Sequence, residues 1–173
     1  MAYKLASVKV LVAEDVDILQ NLMRDVLSML GFKQIIIASG GQTGYQKFLK
    51  YNPDLVITDW IMEPEDGLSL ARRIRTDPYS PNRYCPVIIM TGFSEERRVL
   101  QARDTGINAF LAKPFTTDEL YRKLVSVMER PGQFVETTDY FGPDRRQSKM
   151  PANYQGPLRR DEDAARGKRN IGA

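Results

Sequence analysis

The amino-acid sequence predicts an α/β protein built on an open, doubly wound parallel sheet of five strands. Short apolar runs rich in β-branched residues recur up to residue 112 and lack polar alternation, as do strands buried on both faces of a parallel sheet. Segments with apolar residues at helical spacing separate these runs. Strand and helix patterns that alternate in this way predict βαβ units with right-handed crossovers.

The five predicted strands cover residues 8–13, 35–38, 55–58, 87–91 and 109–112. Apolar stripes indicate the helices, and they comprise, in chain order, Ile18, Leu22 and Val26; Tyr45, Phe48 and Leu49; Leu68, Ala71 and Ile74; Val99 and Leu100; and Leu120, Leu124 and Val127. Glycine or proline follows most of these stripes and predicts where the helices end.

Composition limits the chemistry that the chain can carry out. A formal net charge of +3 on 173 residues does not by itself require a polyanionic partner. The absence of histidine excludes a phosphohistidine donor, a Ser-His-Asp triad and a His-ligated zinc site. The single cysteine, Cys85, excludes a disulfide framework, and no apolar stretch is long enough to span a bilayer. We therefore expect a cytoplasmic protein without membrane insertion.

Acidic residues follow two of the predicted strands and form a candidate metal site. Glu14 and Asp15 come after the first strand, and Asp59 comes after the third. The carboxyl ends of parallel strands meet at one edge of the sheet, so these side chains should converge. Converging carboxylates raise one another's pKa unless a cation lies among them, and such oxygen ligands suit Mg²⁺.

Two further residues complete the predicted site. Thr91 ends the fourth strand and Lys113 follows the fifth, where they can meet the oxygens of a phosphoryl group bound to Asp59. Asp59 would then be the nucleophile that forms an aspartyl phosphate. Each residue alone has a simpler interpretation, such as a helix cap for Asp15. Their joint occurrence at four strand ends favours phosphoryl transfer.

Residues 7–130 resemble the receiver domain of two-component response regulators, most closely the single-domain CheY-like type. The matching motifs are the pair Glu14-Asp15, Asp59 followed by Trp60, Thr91, and Phe110 three residues before Lys113-Pro114. The resemblance implies a flavodoxin-like fold in which Asp59 is the phosphoacceptor. It also implies that a partner histidine kinase or phosphotransfer protein supplies the phosphoryl group.

The resemblance implies further roles for residues around the acidic pocket. Mg²⁺ would be held by Glu14, Asp15, Asp59 and the backbone carbonyl of Ile61. The peptide bond before Pro114 would be cis, and the Phe110 ring would rotate together with Thr91 on phosphorylation. One motif departs from the family, because the loop "DWIMEPEDG" has its proline one position late, although Gly67 keeps its distance from Asp59.

The composition changes after residue 130. Large aliphatic residues almost vanish, while Gly, Pro, Arg, Asp and Gln dominate. Such a segment cannot by itself bury enough apolar surface to offset its ordering entropy. The sequence therefore predicts a receiver domain over residues 1–130 and an irregular, disordered arginine-rich tail over residues 131–173.

The tail contains the pattern Tyr-x-Gly-Pro-x-Arg-Arg twice, fourteen residues apart. The matched residues are Tyr140, Gly142, Pro143, Arg145 and Arg146 in one copy and Tyr154, Gly156, Pro157, Arg159 and Arg160 in the other. Gly-Pro favours a bend, arginine offers a planar fork for phosphate and guanine, and tyrosine offers a stacking ring. Asp144 and Asp161 could accept from the N1 and N2 donors of guanine. Two copies suit a ligand with two guanines, such as cyclic di-GMP.

The stretches "FGPDRR" and "YQGPLRR" also resemble the arginine-rich region of CheY-like cyclic di-GMP effector (Cle) proteins. This resemblance implies cyclic di-GMP binding by Arg145, Arg146, Arg159 and Arg160, with help from Tyr140, Asp144, Tyr154 and Asp161. Our mechanistic hypothesis is that the ligand orders the tail, which then docks on a partner such as the flagellar motor switch protein. The protein would then control motility and surface attachment, with recruitment to the flagellated pole.

Two other functions are compatible with the sequence. The chain could be a response regulator controlled by phosphorylation alone, with the tail as a tether. The tail could instead be an arm that binds RNA or protein. It is too short and too poor in apolar residues to form a helix-turn-helix domain, so we expect no DNA binding. We also expect no enzymatic activity beyond slow turnover of the aspartyl phosphate.

Overall fold

A computed structural model describes residues 5–92, 102, 104–130 and 132–144 of the chain. After a short 3-10 turn at Leu5–Ser7, the elements are β1 (Lys9–Ala13), α1 (Asp17–Met29), β2 (Gln34–Ala38), α2 (Gly41–Tyr51), β3 (Leu55–Asp59), α3 (Gly67–Thr76), β4 (Val87–Thr91), β5 (Ala109–Ala112), α4 (Thr117–Glu129), β6 (Phe134–Thr137) and β7 (Tyr140–Pro143). Strands β1 to β5 form one parallel sheet in the order β2-β1-β3-β4-β5. The predicted five-stranded, doubly wound sheet is therefore confirmed. None of the described helices is long and apolar enough to cross a bilayer.

Two apolar clusters, one on each face of the sheet, form the core. Helices α2 and α3 pack on one face through side chains such as Phe48 and Ile74. Helices α1 and α4 pack on the other face through Leu27 and Leu124. The central strands are inaccessible to solvent on both sides, which explains why their sequences lack polar alternation.

The apolar stripe predicted for α1 is wrong at two of its three residues. Ile18 is 74% exposed and Leu22 is 55% exposed, while Met23 and Leu27 are buried with Val26 packed beside them. Both sets have helical spacing, so periodicity alone could not select the face that meets the sheet. Ile18 and Leu22 lie on the side of the helix that faces away from it.

The other predicted stripes have different outcomes. Those of α3 and α4 face the core as expected. In α2, Tyr45 and Phe48 are buried, whereas Leu49 is 41% exposed. Val99 and Leu100, which predicted an additional helix, lie outside the described residues.

An antiparallel hairpin of β6 and β7 follows α4. This differs from the irregular structure that the sequence predicts for these residues. The rings of Phe134 and Phe141 contact Tyr84 of the receiver, with centroid distances of 5.1 and 5.2 Å, and Phe141 is buried. The hairpin needs no core of its own because it packs on apolar surface of the preceding domain. Residues 145–173 lie outside the described part of the chain.

Candidate active site in the acidic pocket

The three predicted acidic residues come together at the carboxyl edge of the sheet. Glu14 and Asp15 follow β1, and Asp59 is the last residue of β3. One carboxylate oxygen from each lies within 4.8 Å of the other two. Because β1 and β3 are adjacent and in register, their ends deliver these side chains to the same place.

Lys113 provides the positive charge in this pocket. Its Nζ lies 2.9 Å from Oδ1 of Asp59 and 3.6 Å from Oε2 of Glu14. The backbone N–H of Trp60 donates to the same Oδ1 at 2.9 Å. Two donors thus converge on the same oxygen of Asp59.

Glu14 is the most buried of the carboxylates, with 1% of its surface exposed. Oε1 accepts a 3.2 Å hydrogen bond from the N–H of Val16, while Oε2 accepts none from the residues the structure describes. Burial, and then the charge of Asp59, raise the pKa of Glu14, although Lys113 and the Val16 amide partly oppose this. A buried oxygen without a donor, beside two further carboxylates, suits a hard cation such as Mg²⁺.

Strands β4 and β5 place the remaining predicted residues beside Asp59. Thr91 ends β4 and is buried, and its carbonyl accepts a 2.7 Å hydrogen bond from the N–H of Lys113. The Lys113–Pro114 peptide is cis. The half-buried ring of Phe110 lies 6.3 Å from that of Trp60 and packs against the apolar cluster that contains Trp60.

The loop after Asp59, where the proline motif departs from the family, is held by backbone hydrogen bonds. The N–H of Gly67 donates to the Trp60 carbonyl at 2.9 Å, and the N–H of Gly41 donates to the Glu65 carbonyl at 3.1 Å. A Cβ on Gly67 would overlap the carbonyl of Asp59, so this position accepts only glycine. Ile61 follows in this loop with its side chain 52% exposed, and the metal-binding role of its carbonyl stays a prediction.

Sequence reasoning missed two residues that support the pocket. Gln20 donates from Nε2 to the Glu14 carbonyl at 2.7 Å and fixes the turn between β1 and α1. Gly41 anchors the loop after β3 from the start of α2. The Gln20 contact spans only six residues, but glutamine six positions after a strand end is not a recognisable motif; Gly41 contacts a segment that only the folded chain brings near.

The predicted tail residues are only partly described. Tyr140 is half-buried and its hydroxyl donates to the carbonyl of Pro143 at 2.9 Å. The N–H of Asp144 donates to the Gln133 carbonyl at 2.5 Å, beside the last pair of the hairpin. Six predicted ligand-binding residues lie outside the described residues: Arg145, Arg146, Tyr154, Arg159, Arg160 and Asp161.

Comparison with known proteins gives consistent matches over the sheet and its helices. Residues 10–125 match the model of the response regulator receiver domain. Chemotaxis protein CheY1 of Helicobacter pylori is 33% identical over 122 residues, which are 69% of this chain and 96% of that protein. Chemotaxis protein CheY-3 of Vibrio cholerae is 30% identical over 124 residues, which are 72% of this chain and 94% of that protein.

A solved structure resembles the same part of the chain. It is the receiver domain of a sensor histidine kinase from Pseudomonas aeruginosa PAO1, with a magnesium ion coordinated in its active-site cleft. The TM-score is 0.62 at 28% identity, and the match covers 71% of this chain and 98% of that one. The described hairpin at residues 134–143 lies beyond the region that matches the family model.

Proposed function

Because the chain belongs to the response regulator receiver family, we propose that it is a CheY-like signalling protein with two inputs. It accepts a phosphoryl group on Asp59 and binds cyclic di-GMP through its arginine-rich tail. The observation that carries the first input is the contact between Asp59 and Lys113 within a cluster of three carboxylates. The duplicated Tyr-x-Gly-Pro-x-Arg-Arg pattern supports the second input.

Phosphoryl transfer follows from the contacts of Asp59. Lys113 and the Trp60 amide both hold Oδ1, which leaves Oδ2 to attack phosphorus. The Oδ2–P bond forms as the P–N bond of a donor phosphohistidine breaks, and the departing imidazole nitrogen takes up a proton. Lys113 then neutralises a phosphoryl oxygen, and the hydroxyl of Thr91 donates to another.

The acidic cluster would hold Mg²⁺ through Glu14, Asp15, Asp59 and the carbonyl of Ile61. Its chemical contribution is to neutralise negative charge on the phosphoryl oxygens. The fit rests on the oxygen-only donor set and on Oε2 of Glu14, a buried oxygen that accepts no hydrogen bond from the described residues. On phosphorylation the Phe110 ring would rotate together with Thr91.

Trp60 provides a fluorescent probe of the site, because it is the only tryptophan in the sequence and its backbone N–H donates a hydrogen bond to Asp59. Titration with Mg²⁺ should change its fluorescence saturably, and Asp15→Asn should weaken binding about tenfold or more. Acetyl phosphate with Mg²⁺ should give a phosphorylated species by mass spectrometry that Asp59→Asn lacks. Asp118→Asn, on the exposed start of α4, is the matched control and should still be phosphorylated. Phosphorylation that persists in Asp59→Asn would contradict the assignment.

For the second input, Arg145, Arg146, Arg159 and Arg160 bind the phosphates and guanine edges of cyclic di-GMP. Tyr140, Asp144, Tyr154 and Asp161 assist. The ordered tail then docks on a partner, for which the flagellar motor switch protein is our candidate. Phosphorylation of Asp59 by a histidine kinase regulates the protein separately from cyclic di-GMP. The protein would act in the cytoplasm and be recruited to the flagellated pole.

Calorimetry on the full chain tests the second input. We expect binding of cyclic di-GMP but not of GTP or cyclic di-AMP. Arg145→Ala combined with Arg159→Ala should weaken binding at least about 100-fold, because each of the two charge-assisted pairs contributes about 1.5–3 kcal/mol. Lys168→Ala, a tail residue outside the repeat, is the control. Unchanged affinity in the double variant would exclude the arginine repeat as the site. Sequence-tolerant RNA binding with a steep salt dependence would instead favour an RNA-binding arm.

A further inference from the structure

The loop between β3 and α3, residues 60–66, connects the acidic pocket to the helices on one face of the sheet. It begins directly after Asp59, and its first residue, Trp60, donates its N–H to Oδ1 of that aspartate at 2.9 Å. It also contains Ile61, whose carbonyl is one of the proposed Mg²⁺ ligands. Because two parts of the pocket depend on this backbone, the contacts that hold the loop also set the geometry of the metal site.

Backbone hydrogen bonds close the loop and tie it to α2. The N–H of Gly67 donates to the Trp60 carbonyl at 2.9 Å, which brings the end of the loop back to its start. The N–H of Gly41 donates to the Glu65 carbonyl at 3.1 Å. Glu65 is therefore the loop residue that lies beside the amino end of α2.

Glu65 also holds the loop through its side chain. Nη1 of Arg73, in α3, lies 3.0 Å from Oε2 of Glu65 and 3.3 Å from Oε1, so both carboxylate oxygens share one donor. The side chain of Glu65 is 19% exposed and that of Arg73 is 42% exposed. The pair is partly shielded from solvent, and it keeps more of its Coulombic attraction than a fully exposed pair would.

Arg73 is in turn supported by the core. Its Cζ lies 4.0 Å from the centroid of the Tyr45 ring, which belongs to α2. Tyr45 is buried and its ring stacks on that of Phe48, with centroids 6.2 Å apart. A guanidinium over the face of a buried ring is attracted by the ring and restricted in its motion, so it loses less entropy when it binds a carboxylate.

From these contacts we infer that Glu65 and Arg73 are positioning residues for the metal site, which hold the loop so that Asp59 and the Ile61 carbonyl meet Mg²⁺ together. This rests on the proposed Mg²⁺ binding in the acidic pocket. The pair lies where the loop departs from the family motif, since Glu65 directly follows the late Pro64. Mg²⁺ demands nearly ideal octahedral geometry, so a loosened loop weakens binding although neither residue is a ligand.

Charge and positioning make opposite predictions for Arg73. If the guanidinium acts only through its charge, its removal strengthens the binding of a cation, whereas the loss of an anchor weakens it. For Glu65 both effects weaken binding, and a control is needed. Glu63 provides it, because it carries the same charge in the same loop, is exposed, and makes no hydrogen bond or ion pair with another described residue.

Titration of the full chain with Mg²⁺, followed by Trp60 fluorescence, tests this inference. Glu65→Ala should weaken binding about fivefold, equivalent to about 1 kcal/mol, the most that an ion pair of this exposure contributes. Arg73→Ala should weaken it about two- to fivefold, because the loss of a positive charge offsets part of the effect. The double variant should bind no more weakly than Glu65→Ala, since both substitutions remove the same contact. Glu63→Ala should stay within about twofold of wild type.

Titration with Ca²⁺ separates positioning from a general loosening of the fold. Ca²⁺ tolerates variable ligand numbers and angles, so Glu65→Ala should weaken its binding less than that of Mg²⁺. The ratio of Mg²⁺ to Ca²⁺ affinity should then fall about two- to fivefold. An equal loss for both ions would contradict the positioning role.

Hydrogen exchange of the wild-type protein does not depend on any variant folding correctly. By linkage, Mg²⁺ should slow exchange of the Gly41 N–H, which is bonded to Glu65, and leave the Asn52 N–H at the other end of α2 unchanged. If Arg73→Ala binds Mg²⁺ as tightly as wild type or more tightly, or if Gly41 does not respond, the positioning role is refuted while the metal site stands. If the wild type does not bind Mg²⁺, both are refuted.

Discussion

Substituting Gly142 by alanine should release the hairpin without unfolding the receiver. A Cβ at this position would lie 2.6 Å from the Cα of Gly106 and 2.5 Å from the hydroxyl oxygen of Tyr140. The tyrosine can swing away, but the Gly106 backbone cannot, because its carbonyl is held by the buried guanidinium of Arg75 at 2.9 Å. The hairpin must therefore move away from the domain.

The expected size of the effect follows from this overlap. Overpacking at a well-packed contact costs about 1–3 kcal/mol, and an isolated two-stranded hairpin is at best marginally stable in water. The loss should thus appear as local opening of β6 and β7 while the sheet keeps its stability. In hydrogen exchange, amides of the hairpin should exchange about 5- to 140-fold faster than in wild type, and those of β1 and β3 should not change.

The aligned glycine of the second repeat, Gly156, offers the matched control. Gly156→Ala makes the same chemical change in the same motif and should leave exchange in the hairpin as it is in wild type. The reasoning is refuted if Gly142→Ala exchanges like wild type, since the close approach to Gly106 would then carry no energetic weight. Equal acceleration in β1 and β3 would also refute it, because the hairpin would then unfold only together with the sheet.

Other predictions concern the pocket, the last helix and the buried arginine. Glu14→Gln should increase the free energy of urea unfolding at pH 7 without Mg²⁺, because burial and Asp59 raise the pKa of Glu14 above 4.5. This gain in stability should vanish below pH 4.5, where wild-type Glu14 is protonated in both the folded and the unfolded state. A variant less stable than wild type at pH 7 would contradict this prediction. Thr116→Ala should destabilise the protein by about 1 kcal/mol in thermal unfolding by removing the N-cap of α4. The hydrogen bonds of Thr116 lower the pKa of Glu119, so the loss of stability in the variant should be full above pH 4.5 and shrink as the pH falls through that lowered pKa. A loss of stability that does not depend on pH would count against the capping box. Arg75→Met should cost about 3 kcal/mol or more in urea unfolding, since it removes the side-chain donor of three backbone carbonyls and one of the hydrogen bonds to the side-chain oxygen of Asn108, which keeps the one donated by the Val87 N–H. A loss under about 1 kcal/mol would show that water replaces the guanidinium.

The strands were predicted well because their signal is local. The start and end of β4 and β5 coincide with the predicted runs, and the other strands differ by one residue at an end. A β-branched run without polar alternation has few alternatives to a strand covered on both faces. The acidic cluster followed from the same logic, since the ends of adjacent parallel strands must meet.

The faces of the surface helices were predicted less reliably. In α1, Ile18 and Leu22 are exposed although they satisfy helical spacing, whereas Met23 and Leu27 contact the sheet. A helix with apolar residues on two sides has no unique inward face until its partner is known. Which side faces inward is decided by the tilt and the register of the helix against β1 and β2.

The sequence by itself determined the order of strands and helices, the residues of the acidic pocket and the existence of a repeated motif in the tail. Those features depend on spacing along the chain, which the sequence states directly. Only the tertiary structure decided that Tyr140 and Gly142 of the first copy are part of a docked hairpin, and that Tyr84 is the exposed ring beside it. The contacts of Gly142 with Gly106 and of Phe141 with Tyr84 join residues more than thirty positions apart, and their stability comes from surfaces that become complementary only when the domain has folded.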